Sequence, residues 1–447
     1  MNYTIQSPTI PLCEDYDVIV CGGGPSGCTA AAAAAREGAK TLLIESSGML
    51  GGMGTKGMVN AWTPVTDKIR IIYGGLAEKI VRDLKELTPA VPEDKWDWIA
   101  IDYERLKVIY DDLVLNSGAD LLLHTSVCKV EMKDERNIDV IIVSNKAGLT
   151  AYRAKVYVDC TGDADLYAWA GQEYDFGNEE THELQPGTMC FALANLPREE
   201  FLASKERHGG IPRGLIRKVI ASGKYPEILG DHYVTKRMAE NVYTFNAGHV
   251  YDLDGTDPKS LTMGCVRGRK LAWALKDGLS EFDEAFRNSY MMATAPSIGL
   301  RETRRIHGDY SFTMMDYLHR ATFPDEIARG NYYIDIHDRE EDSAGGTDIL
   351  YEHYGPGESY GVPYRCLCPK GLDNVLVAGR TICSDRLSNG TLRIMPMCLC
   401  TGEAAGMAAK FASEGETVNI HTVDTQRLRR RLTEEGAYLP KLDTDTF

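Results

Sequence analysis

Apolar residues along this chain change their period in a definite order. Asp17–Cys21, DVIVC, is a short run of β-branched and small residues, which predicts a strand buried on both faces. From Cys28 to Glu37 the chain is mostly alanine and reads as a helix stopped by Gly38. Thr41–Ile44 is a second apolar run and predicts a second buried strand. Tyr103–Asn116 then reads as a helix, Leu121–Val130 as strand–turn–strand, and 156–163, VYVDCTGD, as an apolar strand ending in Thr161-Gly162-Asp163. Far downstream, Asn374–Arg380, NVLVAGR, is another strand closed by a glycine turn. A last helix starts near Pro396–Cys398, since proline suits a first helical turn, and Gly402 and Gly406 let it pack tightly.

The middle of the chain has a different rhythm. HYVTKR, NVYTFN and NYYIDIH alternate aromatic and β-branched residues with polar ones, which predicts an antiparallel sheet. Ser260–Asp277 and Glu281–Met292 read as helices.

Between the first strand and the alanine helix lies Gly22-Gly23-Gly24-Pro25-Ser26-Gly27, which satisfies G-x-G-x-x-G. Gly22 permits the tight turn, Gly24 lets backbone approach a pyrophosphate, and Gly27 lets helix and strand pack closely. The helix N-terminus adds free N–H groups and the positive end of a dipole. Glu45, at the end of the second strand, can accept hydrogen bonds from a ribose diol and repels a 2′-phosphate. Strand, turn, helix, strand and acid in this order predict a dinucleotide site, without separating FAD from NAD.

Glu45 leads into SSGMLGGMGTKGMVNAW, too rich in glycine for an ordinary α/β connection. Here the chain resembles the FAD-dependent oxidoreductases of the glutathione-reductase type, with Gly51-Gly52 as the paired glycines that run beside pyrophosphate and flavin. The blocks PSIGLRETRRIHGDY (296–310), ARGNYYIDIH (328–337), VPYRCLCPKGLDNVLVAGR (362–380) and GTLRIMPMCLCTGEAAG (390–406) resemble the large family described as FAD-dependent oxidoreductases. The resemblance implies an α/β fold, with a Rossmann-like FAD-binding domain and an inserted α+β substrate domain. Its boundaries are 14–60, 100–175 and 362–415 for the FAD domain, 176–361 for the substrate or cap domain, 61–99 for an accessory cap, and 416–447 for a surface segment.

The same resemblance implies which residues hold FAD. They are Gly22, Gly24, Pro25, Ser26 and Gly27 in the first turn, Glu45 and Ser46 at the ribose, and Gly51 and Gly52 beside the pyrophosphate. Val127 matches an adenine contact, and Thr161, Gly162 and Asp163 match the turn beneath the dinucleotide, with Cys160 at a small-residue position. Gly379 fits the return strand, while Arg380 replaces the acid that holds the ribityl chain and is placed to contact a phosphate. Pro396 and Met397 open the flavin-facing helix and Arg393 holds the loop before it. That helix dipole faces the edge of the flavin that gains negative charge on reduction. Where relatives carry a histidine, this chain has Arg386.

Charge narrows the partners. With 49 basic and 65 acidic residues the formal charge is −16, which opposes nucleic acid and anionic lipid. No secretory signal and no apolar run long enough for a membrane span is seen, so a cytoplasmic protein is expected. Twelve cysteines include the C-x-C pairs Cys366/Cys368 and Cys398/Cys400 but no C-x-x-C, and small buried hydrophobes explain them better than zinc or a redox dithiol. No metal is expected. Between 176 and 360, glycines such as Gly345-Gly346 do not form a second nucleotide turn, so a tightly bound NAD is not expected, while transient hydride delivery from NAD(P)H stays open.

For chemistry, Arg301, Arg304 and His307 stand in a dense basic cluster with Arg305. Arginines clamp a carboxylate or stabilise an enolate, and histidine moves protons near neutrality. Arg386 is the second candidate, because the loop 380–396 passes the flavin if Gly379 is a phosphate turn. His337 and His353 read as packed or surface histidines. The expected function is hydride transfer between FAD and a small organic substrate, with the arginine cluster favouring an anionic one. A flavin-dependent monooxygenase, or an electron-transfer or RNA-modifying subunit, is the alternative.

Overall fold

The apolar run at 17–21 is the buried end of a longer strand. In the computed structural model, which describes residues 9–209, 213–338, 354–443 and 445, β1 (Leu12–Cys21) is buried only from Val18 onward. The helix Pro25–Arg36 follows, and β2 (Thr41–Ile44) lies parallel to β1 with Cys21 opposite Ile44. The helix Tyr103–Asn116, capped by the Asp102 side chain, leads to β3 (Asp120–Leu122), parallel to β2. β4 (Ser126–Met132), β5 (Ile138–Asn145) and β6 (Gly148–Asp159) form an antiparallel meander whose last strand returns beside β1. Strand β5 has no counterpart in the sequence reading.

β7 (Tyr174–Phe176) is short. β8 (Phe191–Ala194), β9 (Tyr233–Ala239), β10 (Val242–Ala247) and β11 (Tyr290–Thr294) make a four-stranded antiparallel sheet in the order β11-β8-β10-β9. β12 (Arg304–Ile306) pairs with β7, and β13 (Glu326–Gly330) with β14 (Tyr360–Pro363). β15 (Val375–Val377) returns to the first sheet parallel to β6, with Val377 opposite Asp159. The fold is α/β, with a Rossmann-like parallel sheet.

Two readings of the middle region are corrected. NYYIDIH is not a strand: 331–337 has no ladder, and side chains of the helix Arg386–Leu392 and its flank hold its carbonyls instead, Thr391 at Tyr332 and Arg393 at Asp335. Glu281–Met292 is not a helix. Pro258–Phe282 ends there, the Asp283 carboxylate caps a short 3₁₀ turn, and β11 begins at Tyr290. His353 and Gly345-Gly346 lie outside the described residues.

The alanine helix is buried because it packs against Met395–Ser413 at backbone distance. A Cβ on Gly402 would lie 2.1 Å from the Ser26 carbonyl oxygen, and one on Gly406 2.0 Å from that of Ala30. Residues of 61–99, among them Trp62, Tyr73 and Ile80, share this core, while Phe191 and Phe245 stack at 4.8 Å in a separate core under the second sheet. In the closing segment Leu428, Arg429 and Leu432 are buried, and Arg429 pairs with Asp445 at 3.0 Å. Among the described residues no helix is long and apolar enough to cross a membrane.

Candidate functional site

The carboxyl ends of β1, β2, β6 and β15 lie side by side, and the turns after them face a cavity of about 420 Å³ that extends to the second sheet. A crevice at this edge is where open α/β sheets take ligands. Gly22, Gly24, Pro25 and Ser26 form part of its wall. Gly22 has φ +96°, and a Cβ there would lie 2.4 Å from the Cys160 carbonyl oxygen, so the turn closes only on glycine. Gly24 has open space where a Cβ would be. It is also the N-cap of the following helix and offers no side-chain cap, which leaves first-turn N–H groups available to an anion. Gly27 packs against the Gly22 carbonyl and is not in the wall.

Glu45 lines the same cavity and is fastened from several sides. It accepts the Gly23 N–H at 2.8 Å and the Ser47 N–H at 2.7 Å, and Lys56 is 3.7 Å away. Burial alone would push its carboxyl up, but Lys56 and these hydrogen bonds hold it below the ordinary carboxylate range. Ser46 is exposed and donates to Glu45 rather than lining the wall. Gly51 turns the chain at φ +98° and its N–H bonds the Gly23 carbonyl. Gly52 lies backbone against backbone on Gly24 and lines the cavity.

Thr161, Gly162 and Asp163 line the wall above Asp159, whose buried carboxylate accepts from Thr161, Leu166 and Tyr167. Arg380 also lines it, but its guanidinium is committed: Nε to the Gly162 carbonyl at 2.5 Å, Nη1 to the Leu300 carbonyl at 3.1 Å, and Nη2 to Asp163 at 2.7 Å. It ties three segments of the wall together. Gly379 packs on Ser26 and stays behind the surface. A second uncapped helix N-terminus, Met395–Ser413 with Ile394 as N-cap, presents Ile394, Met395, Pro396 and Cys398 to the cavity. Met397 points into the core beside Gly330. Val127 is not in the wall either, because β4 pairs away with β5 while the preceding turn carries Thr125 to the Glu45 carbonyl. The cavity thiols Cys160 and Cys398 are pushed up by burial, Cys398 to about 12, and remain protonated.

Of the four residues proposed for chemistry, the structure brings one to the cavity. Arg301 lines it, donating to the Pro186 carbonyl and Thr188 and reaching His249 Nε2 at 3.3 Å. Arg304, the first residue of β12, is held instead by Asp165, the Asp163 carbonyl and the Tyr174 ring. The His307 side chain is 40% exposed and pairs with Asp175. Arg386 is buried outside the wall, between Glu302 at 3.3 Å and Asp338 at 2.7 Å.

The sequence reading missed the histidines. Tyr233 opposes Ala247 at one end of the β9–β10 hairpin, and the Gly248 N–H closes it on the His232 carbonyl, so His232 and His249 stack with ring centroids 4.4 Å apart. His337 approaches from 331–338 with its centroid 5.0 Å from His249, and ring nitrogens of all three lie within 4.8 Å of one another. His337 Nε2 is 3.1 Å from Asp335 Oδ1, and Arg393 donates to the Asp335 carbonyl and carboxylate. His232, His337, Asp335 and Arg393 all line the cavity. Burial pushes the three imidazoles down, helped by Arg301, so they are neutral near pH 7. For Asp335 burial is outweighed by His337 and Arg393, which hold it ionised. The D-x-H spacing of Asp335 and His337 was visible, but no local pattern ties it to His232, a hundred residues earlier.

A family model described as FAD dependent oxidoreductase matches residues 17–432. Curated relatives match over shorter stretches. A digeranylgeranylglycerophospholipid reductase of Picrophilus torridus is 27% identical over 172 residues, 35% of this chain and 42% of that protein. The tRNA uridine 5-carboxymethylaminomethyl modification enzyme MnmG of Desulfotalea psychrophila is 32% identical over 143 residues, 31% of this chain and 20% of that enzyme. The matches thus span less than half the length of these relatives. Among solved structures, a geranylgeranyl bacteriochlorophyll reductase-like protein from Thermoplasma acidophilum aligns over 95% of this chain and 84% of its own, with a TM-score of 0.46 and 13% identity.

Proposed function

The chain belongs to the family of FAD-dependent oxidoreductases and its cofactor is FAD; from that premise we propose that it transfers a hydride between FAD and a small anionic organic molecule bound under the second sheet. The observation that carries this reading is the single cavity whose wall includes both the glycine turn at Gly24 and the polar cluster of Arg301, Asp335 and His337.

The residues present fit FAD. The open space at Gly24 and the uncapped helix behind it accept a pyrophosphate, and ionised Glu45 accepts from a ribose diol. Pro396 and its neighbours offer a second uncapped helix end, which stabilises negative charge on a reduced flavin. Bound FAD supplies two-electron hydride chemistry. The chain's part is to orient and to manage charge and protons. Arg380 keeps the wall rigid through its bonds to Gly162, Leu300 and Asp163. Arg301 and Arg393 set a positive field, and Asp335 fixes His337. The acidic net charge argues against a nucleic-acid partner.

Purified protein is expected to be yellow, and anaerobic mixing with a panel of small anionic metabolites, NADH and NADPH to bleach the flavin with at least one of them. Protein that neither retains FAD nor can be loaded with it defeats the reading.

A further inference from the structure

Five residues of the cavity wall each carry a buried polar atom with no hydrogen-bond partner among the described residues: Thr63 Oγ1, His232 Nε2, His337 Nδ1, Asn246 Oδ1 and Arg393 Nε. Buried polar groups are rarely left unpaired, and each such group marks a ligand, a water or a catalytic role. Five around one cavity mark a place built to receive something polar.

The tautomer of His337 follows from its partner. Asp335 Oδ1, 3.1 Å from Nε2, only accepts, so the proton sits on Nε2 and Nδ1 is left with its lone pair. His337 is 5% exposed, and its backbone N–H is fixed by Gln185. A carboxylate behind an imidazole of the cavity wall, with the far nitrogen buried and unpaired, is the arrangement of a general base with its orienting acid.

Charge and acidity select what it acts on. Around the ring stand two guanidinium groups, Arg301 and Arg393, one carboxylate, Asp335, and two further neutral imidazoles, His232 and His249. The balance is positive, which disfavours an ammonium substrate and favours an anion. A C–H beside a carboxylate is too weak an acid for an imidazole, whereas an alcohol O–H loses its proton readily as hydride departs from the same carbon. We propose that His337 is the proton-accepting residue of the hydride transfer proposed above, and that the substrate is an anionic alcohol of the 2-hydroxy-acid class. In this step the carbinol C–H bond breaks with both electrons going to the flavin. The O–H bond breaks with its proton going to His337 Nδ1, and the C=O bond of a 2-oxo acid forms. The inference rests on the hydride-transfer reading and narrows it.

The test uses the FAD-loaded full chain and a panel of glycolate, L- and D-lactate, malate and 2-hydroxyglutarate, with oxalate as an unreactive mimic. Wild type is expected to be bleached anaerobically by a member of the panel, at a rate that falls on the acid side with a midpoint below 6.5, the ordinary histidine value. His337→Gln should lower that rate about 100-fold or more while FAD content and thermal midpoint stay near wild type. Asp335→Asn should lower it as well and move the acid midpoint. Independently of turnover, nitrogen-15 NMR of histidine-labelled protein should show one ring with protonated Nε2 and bare Nδ1. That Nδ1 signal should move on adding oxalate and be missing in His337→Gln. Wild-type bleaching rates in His337→Gln overturn the inference while leaving the hydride-transfer reading intact. So does a flavin bleached only by compounds outside the hydroxy-acid class, and so does a stoichiometric metal that copurifies with wild type and is lost in His337→Gln. Failure to hold FAD at all strikes the earlier reading instead.

Discussion

Arg386 holds the Asp338 carboxylate at 2.7 Å, and with the same guanidinium reaches Glu302 at 3.3 Å. These partners adjoin the two segments that carry His337 and Arg301. The residue expected at the flavin is therefore a clamp behind the cavity wall. Removing one member of a buried ion pair leaves the other uncompensated. Arg386→Gln is expected to cost about 3 kcal/mol of stability in denaturant unfolding, with FAD content retained, and Arg386→Lys to recover part of it. A variant with unchanged stability and no flavin places Arg386 at the cofactor after all.

Gly22 and Gly24 are expected to fail differently. Alanine at 22 meets the Cys160 carbonyl and a left-handed φ, and should destabilise the protein by about 2–4 kcal/mol. Alanine at 24 meets nothing within 4 Å, so apoprotein stability should hold while FAD affinity drops roughly tenfold or more. Thermal melts of apoprotein and FAD titrations separate the two. Equal loss of FAD affinity with equal stability in both variants contradicts the assignment.

Glu45 makes the site pH-dependent. Its folded-state carboxyl lies below the ordinary value, so its stabilisation is fully present above 4.5 and is lost as pH falls through the lower folded value. Wild type should melt above Glu45→Gln at pH 7, and the gap should close as pH falls from 4.5 through the lower folded value. Glu45→Arg should also weaken FAD retention; unchanged affinity shows that Glu45 does not serve the ribose.

Gly406→Ala tests the helix crossing. A methyl there would sit 2.0 Å from the Ala30 carbonyl oxygen, so the Met395–Ser413 helix must move away from the alanine helix. The expected cost is about 1–3 kcal/mol, and because the same helix presents Pro396 to the cavity, flavin absorbance or fluorescence should shift as well. A wild-type melting midpoint argues against the close packing.

The glycine turn was legible because its chemistry is local. The strand 17–21, Gly22 to Gly27, the alanine helix and Glu45 lie within thirty residues, and each needs a particular residue type for a steric or electrostatic reason. The α/β class followed from the same periodicities, and the return of 374–380 to the first sheet from the family resemblance. The helix at 281–292 and the strand at 331–337 were misread because side-chain hydrogen bonds from Asp283, Thr391 and Arg393 overrode local pattern. The basic cluster 301–307 was visible as composition, but the direction of each side chain was not. Arg301, three residues ahead of β12, lines the cavity, whereas Arg304 in the strand is drawn onto Asp165.

The sequence by itself determined the turn, helix end and acid proposed to hold the dinucleotide, since all three are set by neighbours in the chain. The opposite wall was decided only in three dimensions. His232 and His249 meet because a hairpin ends there, and His337 reaches them because Asp335 and Arg393 fix a segment almost ninety residues further on. Long-range packing, which leaves no periodic trace, brings those groups together and leaves His337 Nδ1 without a partner among the described residues.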